Sequence, residues 1–400
     1  MTGARDGQGA RGLTTRTVVT AALGTSFGVL PPFLLGAMSF QVRPHLGFSE
    51  SALGAAIALF FALSAISSVP AGRMTERFGA KRGMLLAAIA TAICLSGIGA
   101  LARTWWHLLV FLAIGGAGMA LSASASSLSV ARLIAPHRQG VAYGASKAAG
   151  PAATMFAGFA VPAIALTIGW RWAFVCGGVA ALSVFLIVPD DVAVHRRRPP
   201  QQHAWPDASR TALVILAVAV GFGIGGANSM AAFFVESAVF AGFDPGLAGF
   251  ALAVGSICGL VARVLWGWIA DVRTSGRLHL LAILMFVGGV GMFLLAFVRT
   301  PVQLVIVAIV VFAAAWGWTG LFTYVVVRVS PRAPAAAVGV VSSGMFAGGT
   351  VGPLLFGAAA QRGSYLLMWT IGLVALIIAG TLAEIALMVI RRERRAEADA

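Results

Sequence analysis

The chain has 400 residues, 59% of them hydrophobic and 10% charged, with a formal net charge of +15 and a mean hydropathy of +0.93. That composition excludes an ordinary soluble domain, in which roughly a quarter of the residues are charged, and describes a membrane protein. The pI of about 11.5 does not signal a nucleic-acid partner, because the basic residues follow topology and form no patch.

Apolar windows of about 20 residues suffice to cross a hydrocarbon core of roughly 30 Å. Twelve recur along the chain, centred near Val29, Leu59, Ile93, Met119, Ala157, Val179, Gly221, Val254, Gly288, Ala313, Gly348 and Val374. Residues 1–16 are polar, carry Arg5, Arg11 and Arg16, and lead into a span-length run, so no cleavable signal peptide is expected and the first span stays. Within it Pro31 and Pro32 are expected to break the helix and to line the pathway. The expected division is a cytoplasmic tail (1–16), a first six-helix half (17–188), a charged, proline-rich linker (189–210), a second six-helix half (211–390) and a second cytoplasmic tail (391–400).

The loop after the second span reads GRMTERFGAKR and sets Gly72, Glu76, Arg77, Gly79, Lys81 and Arg82 in one short stretch. An acid at a helix end can meet a helix dipole or a basic partner in one conformation and lose it in another, which makes a latch. A degenerate copy, GWIAD, runs from Gly267 to Asp271, and Arg132 and Arg328 are the expected basic partners of the two copies. The bland alternative is that these charges only fix topology.

The copy belongs to a wider repeat. LGFSESALG at 46–54 corresponds to AGFDPGLAG at 241–249, and Gly47, Phe48 and Gly54 pair with Gly242, Phe243 and Gly249 at an offset of 195 that also relates Gly72 to Gly267 and Gly144 to Gly339. Two six-span halves are the economical reading. With an even span number both termini share a side. Of the 28 basic residues, 21 fall in the tails and loops of that side and 5 in the loops of the other, which predicts cytoplasmic termini by the positive-inside rule.

The remaining two, Lys147 and Arg263, lie inside spans. A charge there costs on the order of 3 kcal/mol, so it must face the bundle interior, line a water-filled cavity or snorkel to an interface. At 1.5 Å per residue Lys147 is roughly 13 Å from Arg138 and Arg263 roughly 12 Å from Asp271, so the two share a depth. Their repeat mates are Ser342 and Ser68, which leaves one cation in each half. No acid or histidine is expected in a span core: Glu50 and Glu236 fall at outer ends, Glu384 two turns inside the last helix, and all six histidines in loops. Two cations without a carboxylate form a site for an anion; for Lys147, snorkelling is the alternative. Asn228, Trp318 and Tyr324 are softer candidates that could bond or stack with a ligand, though such residues are more often helix-packing groups. Cys94, Cys176 and Cys258 are read as packing residues. With no phosphate-cradling loop, metal cluster or nucleophile elbow, neither an enzyme nor a cofactor is expected.

The GRMTERFGAKR loop resembles the signature of the major facilitator superfamily, with Ala80 where a base is common and Glu76 where Asp is usual. The resemblance extends over the whole chain in span number, loop length and repeat. It implies an all-α membrane protein of twelve transmembrane helices in two pseudo-symmetric six-helix halves, working by alternating access. It further implies that spans two, five, eight and eleven border a central cavity, across which Lys147 and Arg263 would face each other. The stretch LVARVLWGWIAD (260–271) is similar to the eighth span of monocarboxylate transporters and oxalate:formate antiporters, whose arginine contacts the carboxylate, and Arg263 holds that place. The run from Gly144 to Phe174, ending GWRWAF, is similar to their fifth span. Two features depart from the mammalian monocarboxylate pattern: Gly259 stands where an Asp precedes the arginine, and the first span, SFGVLPPFLLGAMSF, lacks their lysine. Drug:proton antiporters are matched less well, since only Gly150-Pro151 fits their fifth-span motif and their fourth-span arginine would fall at Leu112.

The expected function is secondary active transport of a small organic anion, a monocarboxylate first among them, across the cytoplasmic inner membrane by a monomer in contact with membrane lipids. Coupling to protons or by exchange is open. A proton-coupled drug or metabolite efflux pump is the alternative in the same superfamily. A transport-inactive membrane sensor is the alternative in another class, against which stands a tail after Ile390 too short to carry signalling.

Overall fold

Inside a bilayer no water meets the backbone, so each N–H and C=O must be satisfied within the protein, and continuous apolar runs of about 20 residues do so as helices. The computed structural model describes residues 3–134, 148–189, 210–272, 277–319, 321–322, 326 and 334–399, and among them every regular element is helical. In chain order these are α1 (Gly3–Ala37), α2 (Ser39–Leu46), α3 (Glu50–Phe78), α4 (Ala80–Leu101), α5 (Trp105–Leu133), α6 (Ala149–Ala160), α7 (Trp170–Ala181), α8 (Val184–Ile187), α9 (Arg210–Phe240), α10 (Pro245–Val272), α11 (Arg277–Leu294), α12 (Pro301–Val311), α13 (Pro334–Gln361) and α14 (Tyr365–Asp399). Helix α6 runs on into a π-helical turn, Val161–Ala165, and α12 into another, Phe312–Trp316. Among the described residues ten helices are long and apolar enough to cross a membrane, and two shorter apolar stretches, Ala149–Ala165 and Pro301–Trp316, bring the number to twelve.

Several sequence expectations are corrected. Pro31 and Pro32 do not break the first helix, which continues to Ala37. Tertiary packing overrides the two missing donors there: residues 28–39 are all buried, and at Gly28 a Cβ would come within 3.2 Å of the Ser122 side chain. His45, His107 and His279 stand on helices and not in loops. Of the cysteines only Cys94 is buried, whereas Cys176 is exposed.

The chain divides into two compact units, Met1–Phe48 with Leu59–Arg196, and Ser49–Ala58 with Arg197–Ala400. In the first, α4 lies between α5 and α7, and α1 packs on α5 and α6. Arg171 at the start of α7 ties that bundle together. It donates from both terminal nitrogens, at 3.0 Å each, to the carbonyls of Gly99 and Ala102, where α4 ends, while its guanidinium carbon sits 4.5 Å from the Trp170 ring. The orphan carbonyls of a helix end thereby find a charged donor.

In the second unit α9 packs on α13 and α14, α11 on α14, and α10 on α12. The α9–α13 contact is backbone on backbone. A Cβ at Gly344, Gly348 or Gly352 would run into the carbonyl oxygens of Ala217, Gly221 and Gly225 in turn. Close approach of this kind is how membrane helices gain packing energy where lipid removes the hydrophobic driving force. Alongside the ladder, α9, α13 and α14 enclose an apolar groove of about 820 Å³. The start of α3 belongs to this unit because Gly54 leaves room for the Pro353 carbonyl of α13.

Candidate functional site

One face of α10 is built to lie against the tenth span. Gly255, Gly259, Arg263 and Trp266 follow one another at spacings of four, four and three, which puts them on one side of a helix. A Cβ on Gly255 would stand 2.9 Å from the Phe312 ring, and one on Gly259 3.0 Å from the Phe312 carbonyl oxygen. The glycine that occupies the place of an acid thus sits tight against span ten's backbone, where an added Cβ would require the neighbouring helix to give by a few tenths of an ångström.

Where α10 reaches the π-helical turn Phe312–Trp316, the glycines give way to two donors. A π-turn closes i→i+5 hydrogen bonds and so holds one residue more than an α-turn. Trp266 donates from Nε1 to the Ala313 oxygen at 3.2 Å, and Arg263 donates from Nε to the Trp316 oxygen at 3.2 Å. The Thr319 hydroxyl shares the latter acceptor at 3.0 Å. The Arg263 guanidinium carbon also lies 5.7 Å from the centroid of the Trp316 ring, within cation–π range. Trp316 itself is 2% exposed and Arg263 half-buried. Gly317 closes the turn, for a Cβ there would strike the Ala313 oxygen.

The other proposed ligand contacts are dispersed. Trp318 is wholly buried, with its indole N–H given to the Ala315 oxygen at 2.7 Å, its ring edge-on to Phe322, and its far edge filling the space left by Gly223. It is a packing group in this structure. Asn228, midway along α9, is half-buried, and its amide has no hydrogen-bond partner among the described residues. Lys147 and Tyr324 lie outside the described residues. Sequence reasoning missed Trp266 and Trp316, which carry no mark beyond being tryptophans in apolar helices. It also placed Glu236 at an outer end without foreseeing that this carboxylate, one turn short of the end of α9, is 4% exposed. His279 of α11 and Glu384 of α14 were likewise read apart, but they pair across the two helices at 2.7 Å.

In the motif loop, α3 stops at Phe78 and α4 starts at Ala80, with Gly79 alone between them at φ +93°. Only glycine takes that backbone angle at no steric cost, so Gly79 is the corner of the loop. Behind it Gly83 admits the Thr75 hydroxyl, which a Cβ would meet at 3.0 Å. Gly72 faces open space, Arg77 lies over the ring of Phe78 at 5.4 Å, and Lys81 is half-buried. Glu76 and Arg132 are both exposed, and no ion pair joins either to a described residue. Asp271 lies on the last turn of α10, and Arg328 lies outside the described residues.

A family model described as Major Facilitator Superfamily matches residues 17–336 and again 241–400. The chain belongs to the major facilitator superfamily. Membership makes it a multi-pass membrane protein and a secondary transporter of small molecules by alternating access, not an enzyme. Among solved structures the facilitator is similar to a bacterial homologue of the human lysosomal transporter Spinster in an inward-facing, occupied conformation, with 15% identity, a TM-score of 0.70, and coverage of 96% of this chain and 97% of that one. It is also similar to a D-xylose–proton symporter, with 17% identity, a TM-score of 0.72, and coverage of 92% and 97%. At such identities the likeness speaks for the fold of the facilitator alone. No curated protein matches it.

Proposed function

We propose that this facilitator carries a small organic anion, a monocarboxylate first among them, across the cytoplasmic membrane as a monomer with both termini in the cytoplasm. The observation that carries the reading is Arg263: a guanidinium half-buried within the eighth span, whose Nε–H goes to a neutral main-chain carbonyl at 3.2 Å. A charge so placed is costly in a membrane and is a functional group by default. A carboxylate offers the planar fork two parallel charge-assisted bonds, roughly twice as strong as a bond to a carbonyl. Lys147 is the second cation of the proposed site and Asn228, whose amide has capacity to spare, a polar contact for the rest of the ligand. The basic asymmetry of 21 to 5 supports the orientation. Proton coupling, in this reading, runs through Lys147, the amine of the proposed pair.

The test is uptake of a labelled carboxylate panel into proteoliposomes with and without a pH gradient. The reading expects saturable uptake of small acids and none of cationic drugs. Flux of cations with none of acids would contradict it.

A further inference from the structure

We infer that the apolar groove of the second unit is a lipid site, which holds the two acyl chains of one anionic phospholipid beside α9, α13 and α14. This goes beyond the carboxylate reading and does not depend on it. Of the 22 residues that line the groove, nine are glycine or alanine, which hollows it out, and only Ser343 and Thr370 carry polar side chains. Both hydroxyls are already given to their own helices, Ser343 to the Val340 oxygen at 2.6 Å and Thr370 to the Leu366 oxygen at 2.7 Å. The wall therefore offers a polar ligand no free side-chain donor and suits only hydrocarbon. Its rim is apolar too: Val214, Phe222, Val351, Leu355 and Val374 are each 41–56% exposed. Facing water, such a rim would be a costly patch; facing acyl chains, it is solvated.

The dimensions select among hydrocarbon occupants. The groove follows α9 from Val214 to Gly226, a rise of about 18 Å, close to the roughly 15 Å that one leaflet contributes to the hydrocarbon core. Over that length its volume of about 820 Å³ gives a mean section of about 45 Å². A helix from a second copy, about 10–12 Å across, needs about twice that section and does not enter. At about 30 Å³ for a group the size of water, the volume holds about 27 methylenes, the content of two fatty chains. The linker before α9 (189–210) is charged and proline-rich, and suits an apolar wall no better than a polar ligand does. A chain held between three helices meets more atoms than one on a flat helix face, so this lipid should survive extraction that strips the others.

Charge complementarity sets the class of lipid. Arg210 opens α9 one turn before Val214, which puts a cation at headgroup level by register where the groove begins. No acid follows it on α9 before Glu236.

The test is native mass spectrometry of the full-length protein released from detergent after titration with phosphatidylglycerol or phosphatidylcholine. The wild type should keep one phospholipid per chain, with phosphatidylglycerol half-bound at about fivefold lower concentration, the step that one arginine at headgroup level supplies. Arg210→Gln should erase that difference. Ala347→Trp, which sets a large ring in the groove from an exposed position off the glycine ladder, should lose the lipid. Ile283→Trp, on the exposed face of α11, should keep it.

A second measurement needs no variant. Phosphatidylglycerol with a photoreactive diazirine midway along one chain should crosslink the wild type chiefly within 340–356 and 367–378. Crosslinks spread evenly over the exposed apolar faces overturn the inference, as do loss of every lipid from the wild type, lipid retained by a folded Ala347→Trp protein, or equal binding of the two phospholipids. A chain dimer that Ala347→Trp dissociates would overturn it as well, by giving the groove to a second copy.

Discussion

Arg263 in the eighth span donates from Nε to the main-chain oxygen of Trp316, 3.2 Å away at the close of a π-helical turn in the tenth. A cation that sequence alone leaves waiting for an anion is, in the folded protein, engaged with a neutral acceptor. An incoming carboxylate need not find a bare charge. It has to offer a better bond, and the planar fork makes that bond bidentate.

Lys147 is the proposed partner cation and the one titratable cation of the site. Replacing it with Gln should leave part of the carboxylate uptake but flatten its dependence on pH, measured as initial rates between pH 5 and 8. A Lys147→Gln carrier with wild-type rates and an unchanged pH profile would mean that the side chain only snorkels.

Glu76 is exposed at the last turn of α3 and forms no ion pair with a described residue. If it latches the cytoplasmic face in another state, Glu76→Gln removes a contact made only there. Cysteines along the cytoplasmic half of span five should then label faster by about 5- to 150-fold, matching a coupling of 1–3 kcal/mol. Unaltered labelling would leave the charge with topology alone.

Arg171 meets the last carbonyls of α4 with two bonds of 3.0 Å. Bonds with a charged donor contribute about 1.5–3 kcal/mol, so Arg171→Ala should lower the midpoint of thermal unfolding in detergent by that order of stability. Arg171→Lys should recover less than half of the loss, because one ammonium cannot reach both oxygens in the guanidinium's geometry. Equal midpoints for the wild type and Arg171→Ala would contradict this.

Gly348 of α13 stands against the Gly221 carbonyl of α9 with no room for a Cβ. Gly348→Leu should separate the two backbones and cost 4 kcal/mol or more, roughly the upper range for a point change, seen as loss of a monodisperse peak in detergent. Gly72→Ala, where nothing lies within 4 Å of the new Cβ, should leave the peak unchanged. A monodisperse Gly348→Leu protein would refute the ladder as a structural requirement.

The architecture was largely legible because membrane spans are written in composition, and the corner at Gly79 in the motif around it. What the sequence hid depends on pairs. The π-turn FAAAW has no pattern of its own, and the two side chains that bond its carbonyls, Trp266 and Arg263, stand some fifty residues earlier. The four-residue spacing of Gly344, Gly348 and Gly352 could have been read as a packing face, but its partner on α9 is visible only in the fold. Trp318 could be read in sequence either as a ligand contact or as a packing group, and it lies buried against Gly223, because whether an aromatic ring meets a glycine is a property of the neighbour. The prolines of α1 misled in the opposite sense, since a local rule was overruled by packing.

The most direct test of the account is the concentration dependence of labelled lactate uptake by the wild type and by Arg263→Lys in proteoliposomes. The account predicts that lysine, which keeps the charge and loses the fork, raises the half-saturating concentration at least about tenfold, the equivalent of 1.4 kcal/mol, and that lactamide does not compete in either protein. An unshifted half-saturating concentration in Arg263→Lys, or lactamide competing as well as lactate, would contradict the claim that Arg263 receives a carboxylate.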